Sequence, residues 1–594
     1  MIQTNVVLPG TADIRVRRFA VAVVSGVTAV LIPYLWVLCD LWNNSPSLVR
    51  TAESNGYASN FYDLQARAMF HGHLYVAGGA LAGEAFLHDG RQYTYFGIFP
   101  SLLRMPVLAL THSLDGRLTA PSMLLAWLVT AAFSSLLVWR VRFLVRGRAP
   151  LGWTEAGSYG VLLATIMGGS ILMYLASDPY VFHEDLAWSV ALTVASTFAL
   201  LGVLERPSWG RVILSGALIL AANLNRATTG YACVIGGVLV AIWFAMGRGG
   251  EDNRRWCVPV LTIAALVPCC IGCAISYAKF GILFGLPASD QVFVYTYSSH
   301  VNNGSYFGLR YLPSTLLAYL RPDGLRLNSV FPFIGLPSLP AHSIGGVTFD
   351  ATDRVASVPA SMPLLFLFGS LGVISAFRPK PAGRSVPIRL LLVATALGAG
   401  TVLIYAWIGY RFTADFLPFL VLASAVGMVD VWRRLETKGR RDHYFMLTSV
   451  TILGLFGIAA NVGIASSLQS TWSSAQVLHY VTFQKTVSDA TGHPLAGNIR
   501  RGSTLPSSAP ADQLFVAGNC AALYISDGFS FPASHNVPIE VFELGSHWHP
   551  VELGPDVRHT LDITLHGPVT DIGRGVSLVT VGTKSASTIS LQVR

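Results

Sequence analysis

The chain has 594 residues, 52% of them hydrophobic and only 12% charged, with a formal net charge of +9 and a mean hydropathy of +0.53. Several apolar runs exceed the roughly 18 residues needed to cross a bilayer, which excludes an ordinary soluble enzyme and fits an α-helical integral membrane protein. The basic residues lie mostly in short loops between these runs, so the positive charge does not call for nucleic acid.

Hydropathy predicts eleven transmembrane helices, near 19–39, 121–139, 156–175, 186–204, 211–225, 230–246, 257–278, 359–377, 388–407, 414–432 and 444–466. The first lacks a cleavage site and reads as a retained signal anchor. Arg15, Arg17 and Arg18 precede it, and further arginines fill the short loops of the same parity. The positive-inside rule then makes this a plasma-membrane protein with a cytoplasmic amino terminus and an extracytoplasmic carboxyl terminus. Residues 1–466 form the membrane domain, with outer loops at 41–120 and 279–358. Of the seven cysteines only Cys520 lies beyond the spans and their flanks, so no disulfide framework is available.

After the first span, residues 60–75 alternate apolar side chains with Asp63, Gln65, Arg67 and His71. The pattern suits an amphipathic helix at the membrane interface, with Asp63 in its first turn. Asp63 either caps this helix or takes a proton from an acceptor hydroxyl. Between the third and fourth spans, His183, Glu184 and Asp185 fall on the same side of the membrane as Asp63. Glu184 opens an apolar helix, where an ionised group has a desolvation cost, and is a second functional carboxylate beside His183. Arg226 sits at a membrane boundary. Arg411 and Asp415 flank the ninth and tenth spans, where Arg411 either holds a phosphate with its planar fork or pairs with Asp415 at i,i+4. Arg310 and Arg321 are further phosphate candidates.

Residues 467–594 change character: a helical neck at 467–490 leads into short runs that alternate at period two between Gly, Asp and Pro turns, the pattern of a β-sandwich. Its aromatic residues, Trp548 among them, are either sugar-stacking platforms or core.

The run Asn60-Phe-Tyr-Asp63, Gly72-His-Leu-Tyr75, Asp89 to Pro100 and Leu102-Leu-Arg-Met-Pro106 resembles the first outer loop of the GT-C superfamily, which includes the protein O-mannosyltransferases and aminoarabinose transferases. Arg411-Phe-x-x-Asp-x-x-Pro418 resembles that family's late Arg-Tyr…Pro segment, with Phe412 in place of Tyr. The resemblance implies an inverting glycosyltransferase that uses a polyprenyl-phosphate-linked sugar donor and a cell-wall glycan acceptor. It implies Asp63 as general base, His183-Glu184 as the second acidic site, arginines on the donor phosphate, and Tyr93 and Tyr95 toward the acceptor. The outer loop has no Asp-x-Asp or Asp-Glu pair, so no motif supports a divalent metal. The carboxyl-terminal segment resembles carbohydrate-binding-like domains of actinobacterial cell-wall arabinosyltransferases, which places arabinofuranose first and mannose second among the sugars. The rival expectation is a transporter or flippase for lipid-linked glycans, which would need charges within the spans and paired broken helices, or a non-catalytic assembly protein.

Overall fold

In the computed structural model the described residues are 9–469, apart from 43–45, 51–57, 79, 82–83, 248–255, 284–286, 288–289, 293–305, 328–330, 338–342 and 379–385. Beyond them are a few helical positions between 483 and 491 and the backbone of seven strands between 521 and 593. The chain opens with α1 (Pro9–Leu38), the interfacial α2 (Phe61–Phe70), the hairpin β1 (Phe86–His88) and β2 (Arg91–Tyr93), and α3 (Phe99–Leu110). The bundle continues through α4 (Thr119–Arg146), α5 (Trp153–Gly168), α6 (Ile171–Ala176), α7 (Val181–Glu205), α8 (Trp209–Asn225), α9 (Ala227–Ala245) and α10 (Cys257–Phe280). An irregular segment then carries α11 (Leu312–Leu320), β3 (Arg326–Leu327), β4 (Ile334–Gly335), β5 (Ala351–Thr352) and α12 (Val358–Ser361). The last membrane helices are α13 (Pro363–Phe377), α14 (Val386–Leu403), α15 (Leu417–Leu435) and α16 (Arg440–Gln469). The short strand β6 (Trp407–Ile408) and a 3-10 turn, Tyr410–Phe416, lie between α14 and α15.

Each of the eleven expected spans falls on helix. Eight stretches of the described residues are long and apolar enough to cross a membrane, α5 with α6 and the 3-10 turn with α15 each counting as one. The remaining three spans correspond to α8, α13 and the described part of α14, which are shorter. The helices alternate in direction, so the long connections 39–118 and 281–362 attach at one end of the bundle. The short Arg-rich connections attach at the other. At that second end Arg142 and Arg146 share the buried Glu155 at 2.9 and 2.6 Å.

Helices α13 and α15 pack at backbone distance because each offers a glycine. A Cβ on Gly372 would stand 1.8 Å from Ala423 O, and one on Gly427 would stand 2.0 Å from Phe368 O. Small residues at such crossings replace the hydrophobic drive that lipid does not provide.

Beyond α16, β7 (Ala521–Ile525), β8 (Pro538–Glu543) and β9 (Trp548–Glu552) form one antiparallel sheet. Strands β10 (His559–His566) and β13 (Ala586–Val593) pair with each other, as do β11 (Val569–Asp571) and β12 (Ser577–Val579). The expected neck at 467–490 lies mostly outside the described residues.

Candidate active site

The end of the bundle that carries the long connections is assembled around buried charge. The interfacial helix expected around Asp63 is α2, and Asp63 occupies its first turn. Asp63 is not solvated: it is 2% exposed, with Oδ1 2.6 Å from Arg104 Nε. Arg104 comes from α3, lies over the Tyr62 ring, and reaches Glu184 Oε2 on α7 at 2.8 Å through its second arm. That arm also donates to Thr119 Oγ1 at the start of α4, and Thr119 in turn donates to Ser59 O. One guanidinium therefore ties together four elements.

The Asp63–Arg104 contact is a close approach of charges rather than an aligned hydrogen bond. Burial pushes the Asp63 carboxyl up, while the Arg104 charge and the nearby Leu118 and Gly116 amides oppose this. Glu184 Oε1, Asp185 Oδ1 and Asp415 Oδ1 are likewise buried without a hydrogen-bond donor. Buried carboxyls are costly unless paired, and here four of them lie at one end of the bundle.

Asp185 and Asp415 share Arg226, at 2.8 and 3.4 Å from its two terminal nitrogens. The i,i+4 pairing of Arg411 with Asp415 does not form. Both lie in the 3-10 turn Tyr410–Phe416, and at three residues per turn, positions four apart point in different directions. Arg411 instead bonds the Tyr180 hydroxyl at 3.0 Å and lies over the rings of Phe182 and Phe412 at 4.7 and 5.1 Å.

His183 is buried, its Nδ1 is 3.0 Å from Leu175 O, and its ring meets Tyr180 edge to face. These contacts brace the corner between α6 and α7. Arg310 is exposed and stacked on Tyr311, while Arg321 ends α11 beside Asp323. Tyr93 packs into a small core with Phe86 and Phe280. Tyr95 is partly exposed and lies within electrostatic reach of both Arg226 and Arg411. Trp548 is in β9, and its side chain lies outside the described residues.

Five further charged residues, Asp40, Arg50, Glu84, Arg104 and Asp178, belong to this end and carried no sequence assignment. Arg50 bonds Asp40 at 2.9 Å and the Leu38 carbonyl that ends α1. Asp178 is buried between the fields of Arg50 and Arg411, and burial pushes its carboxyl well up. Glu84 lies on the Arg411 side. The signal available for Asp178 was its place in Ser177-Asp-Pro179, a turn facing the same side as Asp63. Arg104 sat in a quoted motif, but only its charge within an apolar run marked it out.

Backbone contacts close the arrangement. Gly97 N donates to Asn225 O at 3.0 Å, and Asn225 Nδ2 donates to Asp185 O at 2.9 Å. A Cβ at Gly97 would stand 1.9 Å from Leu224 O, so only glycine lets this segment lie against the end of α8. Lys279, from the end of α10, donates to the Thr94 and Phe96 carbonyls at 3.1 and 2.8 Å. Among the described residues no group of three or more His, Cys, Asp or Glu could hold a metal ion.

No protein-family model matches the chain, and no curated protein does. Among solved structures it is similar to the crystal structure of the Archaeoglobus fulgidus oligosaccharyltransferase in the apo form. The identity is 14% and the TM-score 0.40, over 81% of this chain and 62% of that one. The chain thus spans less than two thirds of that protein's length, and no residue role follows from the likeness.

Proposed function

We propose that the protein transfers a sugar from a polyprenyl-phosphate donor to a cell-envelope glycan acceptor at the outer face of the plasma membrane, with inversion at the anomeric carbon. The observation that carries this reading is the set of buried carboxyls, Asp63, Glu184, Asp185 and Asp415, gathered beside three arginines at one end of the helical bundle. Arginines at a bilayer boundary suit a phosphate presented by a lipid. Carboxylate oxygens with spare accepting capacity suit the hydroxyls of a sugar.

In this mechanism Arg226 and Arg411 engage the donor phosphate and stabilise it as it leaves. Asp63 accepts the proton of the attacking hydroxyl. Glu184 shares the Arg104 charge with Asp63 and adds its own negative field, which leaves Asp63 more basic than a carboxyl with a guanidinium to itself. The sugar is attacked from the face opposite the phosphate.

One feature favours a transporter: Glu184, Asp185 and Asp415 lie within spans, and the helix broken at Gly169 between α5 and α6 has the discontinuity such proteins use. Those charges sit within the first six residues of their spans, near the bundle end, which favours surface chemistry over passage.

The test is reconstitution of the full chain with radiolabelled farnesyl-phosphoryl arabinofuranose or mannose and octyl glycoside acceptors. Wild-type protein should form labelled product, and Arg411→Lys should use donor less well. Movement of labelled lipid across the bilayer with no product would replace the enzyme by a flippase.

A further inference from the structure

Glu84 lies between α2 and β1 and is 6% exposed. Its Oε2 accepts a hydrogen bond of 3.1 Å from Gln291 Nε2, and Gln291 Oε1 accepts one from the Tyr306 hydroxyl. Among the described residues no cation forms an ion pair with it. The groups that face it are the neutral Gln291 amide, the Arg411 charge at longer range, and Tyr95, Tyr306 and Tyr405. Ala85, next to Glu84, packs in one cluster with Tyr180 and Phe182, the residues that hold Arg411, and Tyr95 and Tyr405 are partly exposed, so Glu84 borders the same polar region.

We infer that Glu84 is the acid of this site, donating its proton to the phosphate oxygen that departs from the sugar under the hold of Arg411. The inference rests on the glycosyl-transfer reading and assigns its second proton. Two carboxyl groups in unlike surroundings divide the work: Asp63, against a guanidinium, is favoured as the anion, and Glu84, bonded by an amide, is favoured as the acid. Burial pushes the Glu84 carboxyl up to about 7, with Arg411 and Gln291 opposing. The charge balance agrees. Arg50, Arg104, Arg226, Arg411 and the buried Lys279 face Glu84, Asp178, Asp353 and the five carboxyls paired with or beside them, so full ionisation would leave the region negative and hostile to phosphate.

The step balances. The bond from the anomeric carbon to the phosphate oxygen breaks, and its electron pair stays on that oxygen. The Glu84 O–H bond breaks and its proton goes to the same oxygen. The acceptor oxygen bonds the anomeric carbon and gives its proton to Asp63. The lipid leaves as a phosphate monoanion, Glu84 remains a carboxylate facing Arg411, and proton exchange with water restores both carboxyl groups.

The sign of the pH dependence follows. The acid form of Glu84 is present below about 7 and is lost as pH rises through it. The three tyrosines have raised values and do not titrate in this range. The experiment measures binding of farnesyl phosphate to the reconstituted full chain, and transfer rate, from about pH 5.5 to about 8.5 in wild type, E84Q and E84D. Wild-type affinity should fall about 3- to 10-fold through the neutral range, beyond the change caused by the probe's own ionisation, and E84D should keep the step. E84Q should bind without it and transfer sugar about 10–10² times more slowly, without the alkaline fall in rate. Coincident wild-type and E84Q curves in both assays would overturn the inference. Sugar transfer without a Glu84-dependent step overturns this inference alone. The Glu84 step without transfer from any donor overturns the glycosyl-transfer reading and leaves the phosphate contact. No farnesyl phosphate binding at all overturns both.

Discussion

Replacing Asp63 by Asn separates chemistry from architecture because of the charge count around Arg104. With both carboxyls ionised, Asp63, Arg104 and Glu184 carry a net charge of −1 in a place where all three are at most 3% exposed. Asp63→Asn brings that to zero and leaves Arg104 its 2.8 Å partner Glu184, so no uncompensated charge is created. Arg104→Met does the reverse and strands two buried carboxyls, a change that typically costs about 3–5 kcal/mol when one partner of a buried pair is removed. The double change Asp63→Asn with Glu184→Gln strands the guanidinium and should cost a similar amount, far above the sum of two mild single effects. The single Asp63→Asn protein should therefore purify in normal yield and melt within a few degrees of wild type in a fluorescence-detected thermal assay. Its turnover with farnesyl-phosphoryl sugar should fall about 10²–10⁴-fold, the usual worth of a general base. If Asp63→Asn melts as early as Arg104→Met, the residue is an architectural partner of Arg104 and the assignment of base fails. Wild-type turnover in Asp63→Asn with an inactive Glu184→Gln would transfer the role to Glu184.

Arg411→Lys should raise the donor KM about tenfold or more, because a point charge replaces the planar fork and its stacking between Phe182 and Phe412; an unchanged donor KM removes Arg411 from the phosphate. Gly97→Ala should loosen the segment that carries Tyr95, since the added Cβ meets the Leu224 carbonyl at 1.9 Å, and limited proteolysis should then cut within 85–98 more readily. Unchanged cleavage and activity would mean that the contact is not needed. Cysteines introduced at residues 250 and 540 should react with impermeant reagents only from the cytoplasm and only from outside, respectively. Labelling of both from one side means an odd error in the span count.

The membrane helices were legible because lipid imposes a simple requirement, about 20 apolar residues per crossing. The expected spans at α8 and α13 fall on apolar helices of 17 and 15 residues, shorter than the eight stretches long enough to cross. The side chains that meet were harder to find. Asp63 and Glu184 could be assigned to one face by parity, yet the Arg104 bridge between them depends on how α3 lies across α2 and α7, which no local pattern encodes. The Arg411–Asp415 pair failed because the i,i+4 rule assumes α geometry, and the chain there is a 3-10 turn. Glu84 follows Ala82-Gly83 in a stretch without periodicity, and its partner Gln291 is 207 positions away, so nothing local distinguished it from a solvated loop acid.

The link from Lys279 to the Thr94 and Phe96 carbonyls gives the bilayer a mechanical hold on the site. Helix α10 is mostly exposed along its length, with Ile263, Leu266, Val267 and Tyr277 facing outward, so its depth and tilt answer to lipid thickness. Its last turn is fastened to the segment that bears Tyr95, and Gly97 fastens the same segment to the end of α8. A change in membrane thickness that tilts α10 is expected to pull on this short segment, whose other end is anchored beside Arg226. The segment that bears Tyr95 is thus held between the ends of two helices, one of them facing lipid along most of its length.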